Sequence, residues 1–191
     1  MSSQIKSIIN DTFPISDTAF RLIEKHLDYQ HLEKNTDFIV RGRKNNLEYF
    51  ILNGICKSFV LNPDGKEITI SFFMTQSILS PRQIRTTADR SNLSFRSLTD
   101  LEIATIPADT FENLMIENLE IRNFANTVLQ QELIRKVQKE IGLASLTAKE
   151  RLLAFRQDYP GLENFIPHSD IASYLGITNI SLSRLRSELA R

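Results

Sequence analysis

The 191-residue sequence holds one cysteine, Cys56, and no tryptophan. A single thiol excludes an internal disulfide, an Fe–S cluster or a cysteine-ligated zinc site within one chain. No apolar run approaches the roughly 18 residues that a membrane helix needs. The start, Met1-Ser-Ser-Gln-Ile-Lys6, lacks the continuous apolar core of a signal peptide. A cytoplasmic protein with no membrane partner is therefore expected. Neither sign of charge is in excess: 23 Lys and Arg balance 23 Asp and Glu. That balance excludes a polybasic protein whose affinity comes from bulk charge. What is present is ordinary globular material, 41% hydrophobic and 24% charged, in a chain long enough to bury a core.

Ile5 to Tyr29 has helical spacing, interrupted at Pro14. From His31 to Ile106 the pattern changes to short segments rich in Ile, Phe, Val and Thr. Strands are expected at 36–40, 47–52, 55–61, 67–73, 93–98 and 101–106, with a hairpin signal at Asn53-Gly54 and a turn at Asn62-Pro-Asp-Gly65. Such spacing suggests a sandwich, jelly roll or barrel. After Pro107 come a short helix at 111–115 and an Asn118 able to cap a longer one. Over 119–143, Ile121, Phe124, Val128, Leu129, Leu133, Ile134, Val137 and Ile141 recur at helical spacing. The stripe could pack on its own domain, but a helix of about 25 residues spans about 37 Å, more than one small β domain covers, so a two-helix dimer seam is expected. Thr147-Ala-Lys-Glu150 is a capping box that opens a new helix, and 142–146 is the expected hinge before it.

His168 to Arg186 reads HSDIASYLGITNISLSRLR. Gly176 supplies a left-handed stop after a first helix, and Ala172 is small enough for close approach of a second. Ile171, Leu175, Ile177, Leu182 and Leu185 form the shared apolar set, and Thr178 is placed to cap the second helix, Asn179 to about Leu189. This is helix-turn-helix spacing. The outer side of the second helix offers Asn179, Ser181, Ser183, Arg184, Ser187 and Arg191, which suit a major groove. A plain helical hairpin in a core would share the apolar set but has no need of the sharp turn.

The sequence resembles the Crp–Fnr family of bacterial transcription regulators over nearly its whole length. The resemblance rests on Phe50-Ile-Leu-Asn-Gly54, Asp64-Gly-Lys-Glu-Ile68 and Phe72-Phe73 in the β region. In the C-terminal region it rests on Leu146 to Leu152, Tyr159-Pro-Gly-Leu162 and Ile171 to Gly176. It implies an α+β chain: a cyclic-nucleotide-binding-like double-stranded β-helix or jelly roll over 1–117, a dimerisation helix over 118–143, and an all-α helix-turn-helix head over 144–191. That head is winged-helix-like with a short or absent wing. It implies a cytoplasmic homodimer on double-stranded DNA, with a pseudo-palindromic operator whose half-sites lie about 34 Å apart, and RNA polymerase as a further partner. The dimer helix would use Ile121, Phe124, Val128, Leu133 and Val137. The family's base-reading positions fall on Asn179, Ile180 and Arg184. Arg184 matches the family's arginine, whereas Ile180 stands where an acidic residue is common, so the operator should differ. Thr178, Ser181 and Ser183 fit phosphate contacts or caps.

The family's nucleotide cassette needs a Gly-Glu pair and an Arg-Ser or Arg-Thr pair. Gapless alignment puts Ser80-Pro81 and Ser91-Asn92 there, and Pro81 brings neither N–H nor carboxylate. A one-residue slip restores Arg90-Ser91. Ser80, Gln83, Arg90, Ser91 and Asn92 are the candidate effector residues, in a region that Arg82, Arg85 and Arg96 also make basic, as solvated arginines would. The losses argue against cyclic nucleotide and leave another small anionic effector, or none, open. Cys56, inside a strand pattern, reads as a buried small hydrophobe. His26, His31 and His168 read as surface residues. No clustered ligands, phosphate loop or nucleophile elbow points to an enzyme. The remaining alternative is a dimeric small-molecule-binding or interaction protein with a decayed DNA head. From Ala144 onward six Lys and Arg meet five Asp and Glu, a net of +1.

Overall fold

In the computed structural model, which describes residues 1–189, the chain opens with α1 (Ser2–Thr12) and α2 (Asp17–Glu24). Arg191, counted above among the groove-facing side chains, lies outside the described residues. Pro14 follows the end of α1, and Ser16 caps α2 by accepting the Ala19 N–H at 3.2 Å. Ten strands follow: β1 (Asp28–Leu32), β2 (Asp37–Ile39), β3 (Leu47–Asn53), β4 (Cys56–Leu61), β5 (Glu67–Phe73), β6 (Ser77–Ile78), β7 (Thr86–Thr87), β8 (Arg90–Ser91), β9 (Ser94–Ser97) and β10 (Leu101–Pro107). A one-turn helix, α3 (Arg82–Arg85), interrupts them. Helices α4 (Ala108–Glu117), α5 (Leu119–Ser145), α6 (Ala148–Asp158), α7 (His168–Tyr174) and α8 (Asn179–Leu189) complete the chain.

One sheet has the order β1-β10-β3-β6 and the other β2-β9-β4-β5. The expected jelly roll is present, as two four-stranded sheets within a chain that combines helices and strands. The central strands of the first sheet, β3 and β10, are buried on both faces. Tyr49, Ile51, Leu101 and Ile103 point into a core inside the roll with Ile39, Cys56, Phe73 and Phe95. Phe50, Leu52, Ala104 and Ile106 point the other way, into a core built with α1, α2, α4 and α5. This is why 49–52 is continuously apolar rather than alternating.

Several expectations are corrected. The helical reading to Tyr29 overruns: α2 ends at Glu24, and β1 pairs antiparallel with β10 from Asp28 to Leu32. β1 is exposed over most of its length, so its residues carry no apolar alternation to signal a strand. Asn53-Gly54 does not close a hairpin, because β3 and β4 belong to different sheets. Gly54 is demanded by a sheet-to-sheet corner. Its φ is +96°, and a Cβ there would come within 2.2 Å of the Asp100 carbonyl oxygen. Asn62 to Gly65 is the turn between the neighbouring strands β4 and β5. The helix after Pro107 is twice as long as expected, 10 residues. Asn118 caps α5 through the N–H groups of Glu120 and Ile121 at 2.9 and 3.1 Å. α5 runs on through Gly142 to Ser145, so the expected 142–146 hinge is helix almost throughout.

The chain divides into two compact units. One comprises Met1–Ser58 and Phe72–Leu133; the other comprises Phe59–Ser71 and the chain from Ile134 onward.

Candidate nucleic-acid interface and effector site

The turn between α7 and α8 is built as its residues require. Gly176 has φ +67°, and the Ile177 N–H reaches back to the Ala172 carbonyl at 3.0 Å. Ala172, Ile171, Leu175 and Leu182 are all buried, and Ile177 and Leu185 are half-buried beside them. The Thr178 hydroxyl accepts the Ser181 N–H at 3.1 Å and lies 2.9 Å from the Ser181 hydroxyl, which caps α8. Arg151 on α6 closes the other end of the turn. Its Nε donates to the Leu175 carbonyl at 2.9 Å and its guanidinium to Leu146 O at 2.6 Å. The capping box holds Arg151 in place: Thr147 caps α6 and Glu150 returns to the Thr147 N–H at 2.8 Å.

On α8, Asn179, Ile180, Ser183, Arg184 and Ser187 are exposed, and Ile180 is 67% exposed. Arg184 has no ion-pair partner among the described residues, whereas Arg186 is turned inward. Its Nε is 3.3 Å from Glu163, which Arg156 also binds, and its guanidinium contacts His168. Among the described residues, Arg184 is thus the unspent cation of this face. Sequence reasoning missed Ser173 on α7. Its hydroxyl accepts the Thr69 N–H at 2.9 Å and donates to Glu67 O at 3.2 Å, satisfying backbone groups of β5. On α5, Lys139 donates to the Ile70 carbonyl and Lys136 to the Ser71 hydroxyl, and Lys139 also lies 3.8 Å above the Tyr174 ring.

The five candidate effector residues do not converge. Ser80 is buried, and its hydroxyl donates to the buried Glu132 carboxylate on α5. Ser91 is buried and donates to Leu93 O at 2.6 Å. Gln83, Arg90 and Asn92 are exposed, and the last two are held by Gly42 O and the Thr87 hydroxyl. The arginine that dominates this region is Arg85, fully buried rather than solvated. Its Nε donates to Ser80 O at 3.0 Å, its other nitrogens donate to Asn45 Oδ1 and Leu47 O, and it lies 5.3 Å from the centre of the Tyr49 ring. Pro81 precedes α3, and the exposed N–H of Arg82 is met by a carboxylate from another strand: both Glu48 oxygens accept it, at 3.0 and 3.1 Å. Burial raises the Glu48 pKa to about 7, although Arg85, 3.9 Å away, pulls it down. No spacing signal pointed to Glu48, because its partners lie more than thirty residues on.

The apolar stripe of α5 divides along its length. Ile121, Phe124 and Val128 are buried in the protein's own core with Phe111 and Leu114, so they are spent within the chain and do not face a partner. Leu133 and Val137 are 60% and 45% exposed, alongside Ile134 and Ile141. Cys56 is fully buried on β4, and burial pushes its thiol pKa up. His26, His31 and His168 are exposed.

Residues 29–118 match the cyclic nucleotide-binding domain family model. The anaerobic regulatory protein of Bacillus subtilis is 24% identical over 95% of this chain and 81% of its own length. FixK2 of Bradyrhizobium japonicum superposes with a TM-score of 0.76 at 18% identity, over 86% of this chain and 84% of its own. A Crp/Fnr-family structure from Eubacterium rectale superposes with a TM-score of 0.69 at 19% identity, over 92% of this chain and 82% of its own. Residues 29–118 thus resemble the cyclic nucleotide-binding domain, and nearly the whole chain is similar in sequence and fold to transcription regulators of the Crp–Fnr type. On the gapless alignment Pro81 offers no backbone N–H and Ser91, at the arginine position, is buried and bonded to Leu93 O; shifted by one residue, that position falls on Arg90, which donates to Gly42 O.

Proposed function

We propose that the protein is a homodimeric transcription regulator that reads a pseudo-palindromic operator in double-stranded DNA through α8, without control by cyclic AMP. The observation that carries this reading is the turn at Gly176, after which α8 exposes Asn179, Ser183, Ser187 and Arg184, the last without an ion-pair partner among the described residues. Asn179, Ile180 and Arg184 face bases; Thr178, Ser181 and Ser183 stand at the helix start, where N–H groups and hydroxyls meet phosphate. Two α8 helices about 34 Å apart match successive major grooves. RNA polymerase contact would follow from operator binding.

Selection from random duplexes is expected to enrich a palindrome. On that palindrome Arg184→Ala should cost about 1–3 kcal/mol and relax one base position. Equal loss on operator and random DNA would reject the assignment. Independence from cyclic AMP is supported by the absent donor and carboxylate at Pro81 and by the inward-bonded Arg85. Calorimetry at millimolar cyclic AMP should show no binding, and a micromolar Kd would overturn that part.

A further inference from the structure

The outer face of β3, away from the interior of the roll, carries a cavity of about 110 Å³. Phe50 and Ile78 of the sheet, Phe111 of α4, and Phe124 and Val128 of α5 form its apolar walls. Gln83, Asn126 and Leu129 stand at its exposed mouth. One charged side chain lines it, Glu48. Core side chains normally interdigitate to leave few voids larger than a water molecule, so a gap of this size among five large apolar residues is unusual. An engineered dry cavity of about 150 Å³ holds a benzene ring, which sets the scale. A carboxylate at such a wall is costly unless a donor meets it; here the Arg82 backbone N–H donates to it, and the Arg85 guanidinium lies 3.9 Å away, beyond hydrogen-bond range. A mostly apolar pocket with one convergent polar group is the usual make-up of a small-molecule site.

We infer that this cavity binds a small molecule with an aromatic or branched apolar body and one hydrogen-bond donor, the donor pairing with Glu48 and the body filling the space between β3, α4 and α5. The site lies on the opposite face of the first sheet from the roll interior, where Tyr49 and Ile51 point. It adjoins α3 through Pro81 and Gln83, and α5 through Phe124, Val128 and Leu129. A ligand here therefore touches α5 and the segment before α3, which the Ser80–Glu132 hydrogen bond ties together. The inference stands on the cavity and does not depend on the DNA reading.

The full-length protein is titrated with phenol and, separately, with toluene, which has the same number of heavy atoms and no donor. Amide shifts in NMR spectra report the site. Phenol is expected to saturate shifts at Phe50, Phe124 and Val128, with toluene about tenfold weaker, as the loss of one charge-assisted hydrogen bond predicts. Glu48→Leu should bring phenol to the level of toluene. Leu129→Phe, at the exposed mouth and therefore compatible with folding, should weaken both. Three results would each overturn the site: no saturable shift from either probe, equal affinity for both in the unaltered protein, or shifts that map to α8 instead. So would binding seen only in Val137→Asp, because it would show that a second copy fills the cavity.

Discussion

Glu48 turns both carboxylate oxygens to the Arg82 N–H and keeps its side chain 14% exposed. Burial outweighs the attraction of Arg85 and lifts its pKa from 4.5 to about 7. An acid whose pKa is raised by folding holds its proton longer in the native state. Between pH 4.5 and about 7 the unfolded chain binds fewer protons than the folded one, so stability falls as pH rises across that window and levels off above it. The full drop is of order 3 kcal/mol. Urea unfolding of Glu48→Gln at pH 5 and pH 8 should show a smaller drop than the unaltered protein by about that amount. Identical drops would assign the slope to another group. Gly54 shows the complementary lesson at one residue. The Asn-Gly pair signals a left-handed backbone, which is present at φ +96°, but carries no information on which strand will pair across it.

Helix α5 illustrates what periodicity encodes at the scale of an element. A 3–4 repeat of apolar residues identifies a buried stripe and is silent on whether the burying surface is the same chain or another. The sequence therefore marks 119–143 as helix without distinguishing Phe124, which packs edge-on to Phe111 at 6.4 Å, from Leu133, which is 60% exposed. The same holds for the sheets. β3 and β10 were legible because their apolar content is high, whereas β1, β7 and β8 were not, being short or exposed. In the head, Gly176, Ala172 and the capping box were legible because each acts within a few residues. Ser173, Arg151, Glu48 and Arg85 were not, because their partners are distant in sequence. The division of α5 predicts two different outcomes. Phe124→Ala should lose about 3–5 kcal/mol of stability through an unfilled cavity. Leu133→Asp combined with Val137→Asp should instead leave the fold intact and convert a dimer to a monomer in sedimentation. A double variant that still sediments as a dimer would move the seam elsewhere.

At the scale of the whole molecule the zero net charge becomes a statement about where arginines are spent. Arg82, Arg85, Arg96, Arg151, Arg156 and Arg186 are bonded within the chain, to carboxylates or to backbone carbonyls. The interior uses guanidinium groups as multi-donor clips, which leaves few of them to neutralise phosphate. For DNA binding this sets the salt dependence. Each neutralised phosphate adds about −0.9 to the slope of log K against log salt, and one free cation per head among the described residues, Arg184, gives a slope of roughly −2 for two heads. Affinity would then rest on pairing two heads and on base contacts rather than on charge. The operator titration is expected to show that shallow slope between low and physiological salt. The dimer-breaking α5 variant should lose operator affinity far more than affinity for random DNA, since one head keeps its phosphate contacts and loses its partner's. A slope near −10, or equal loss on both DNAs, would mean that bulk charge carries binding after all.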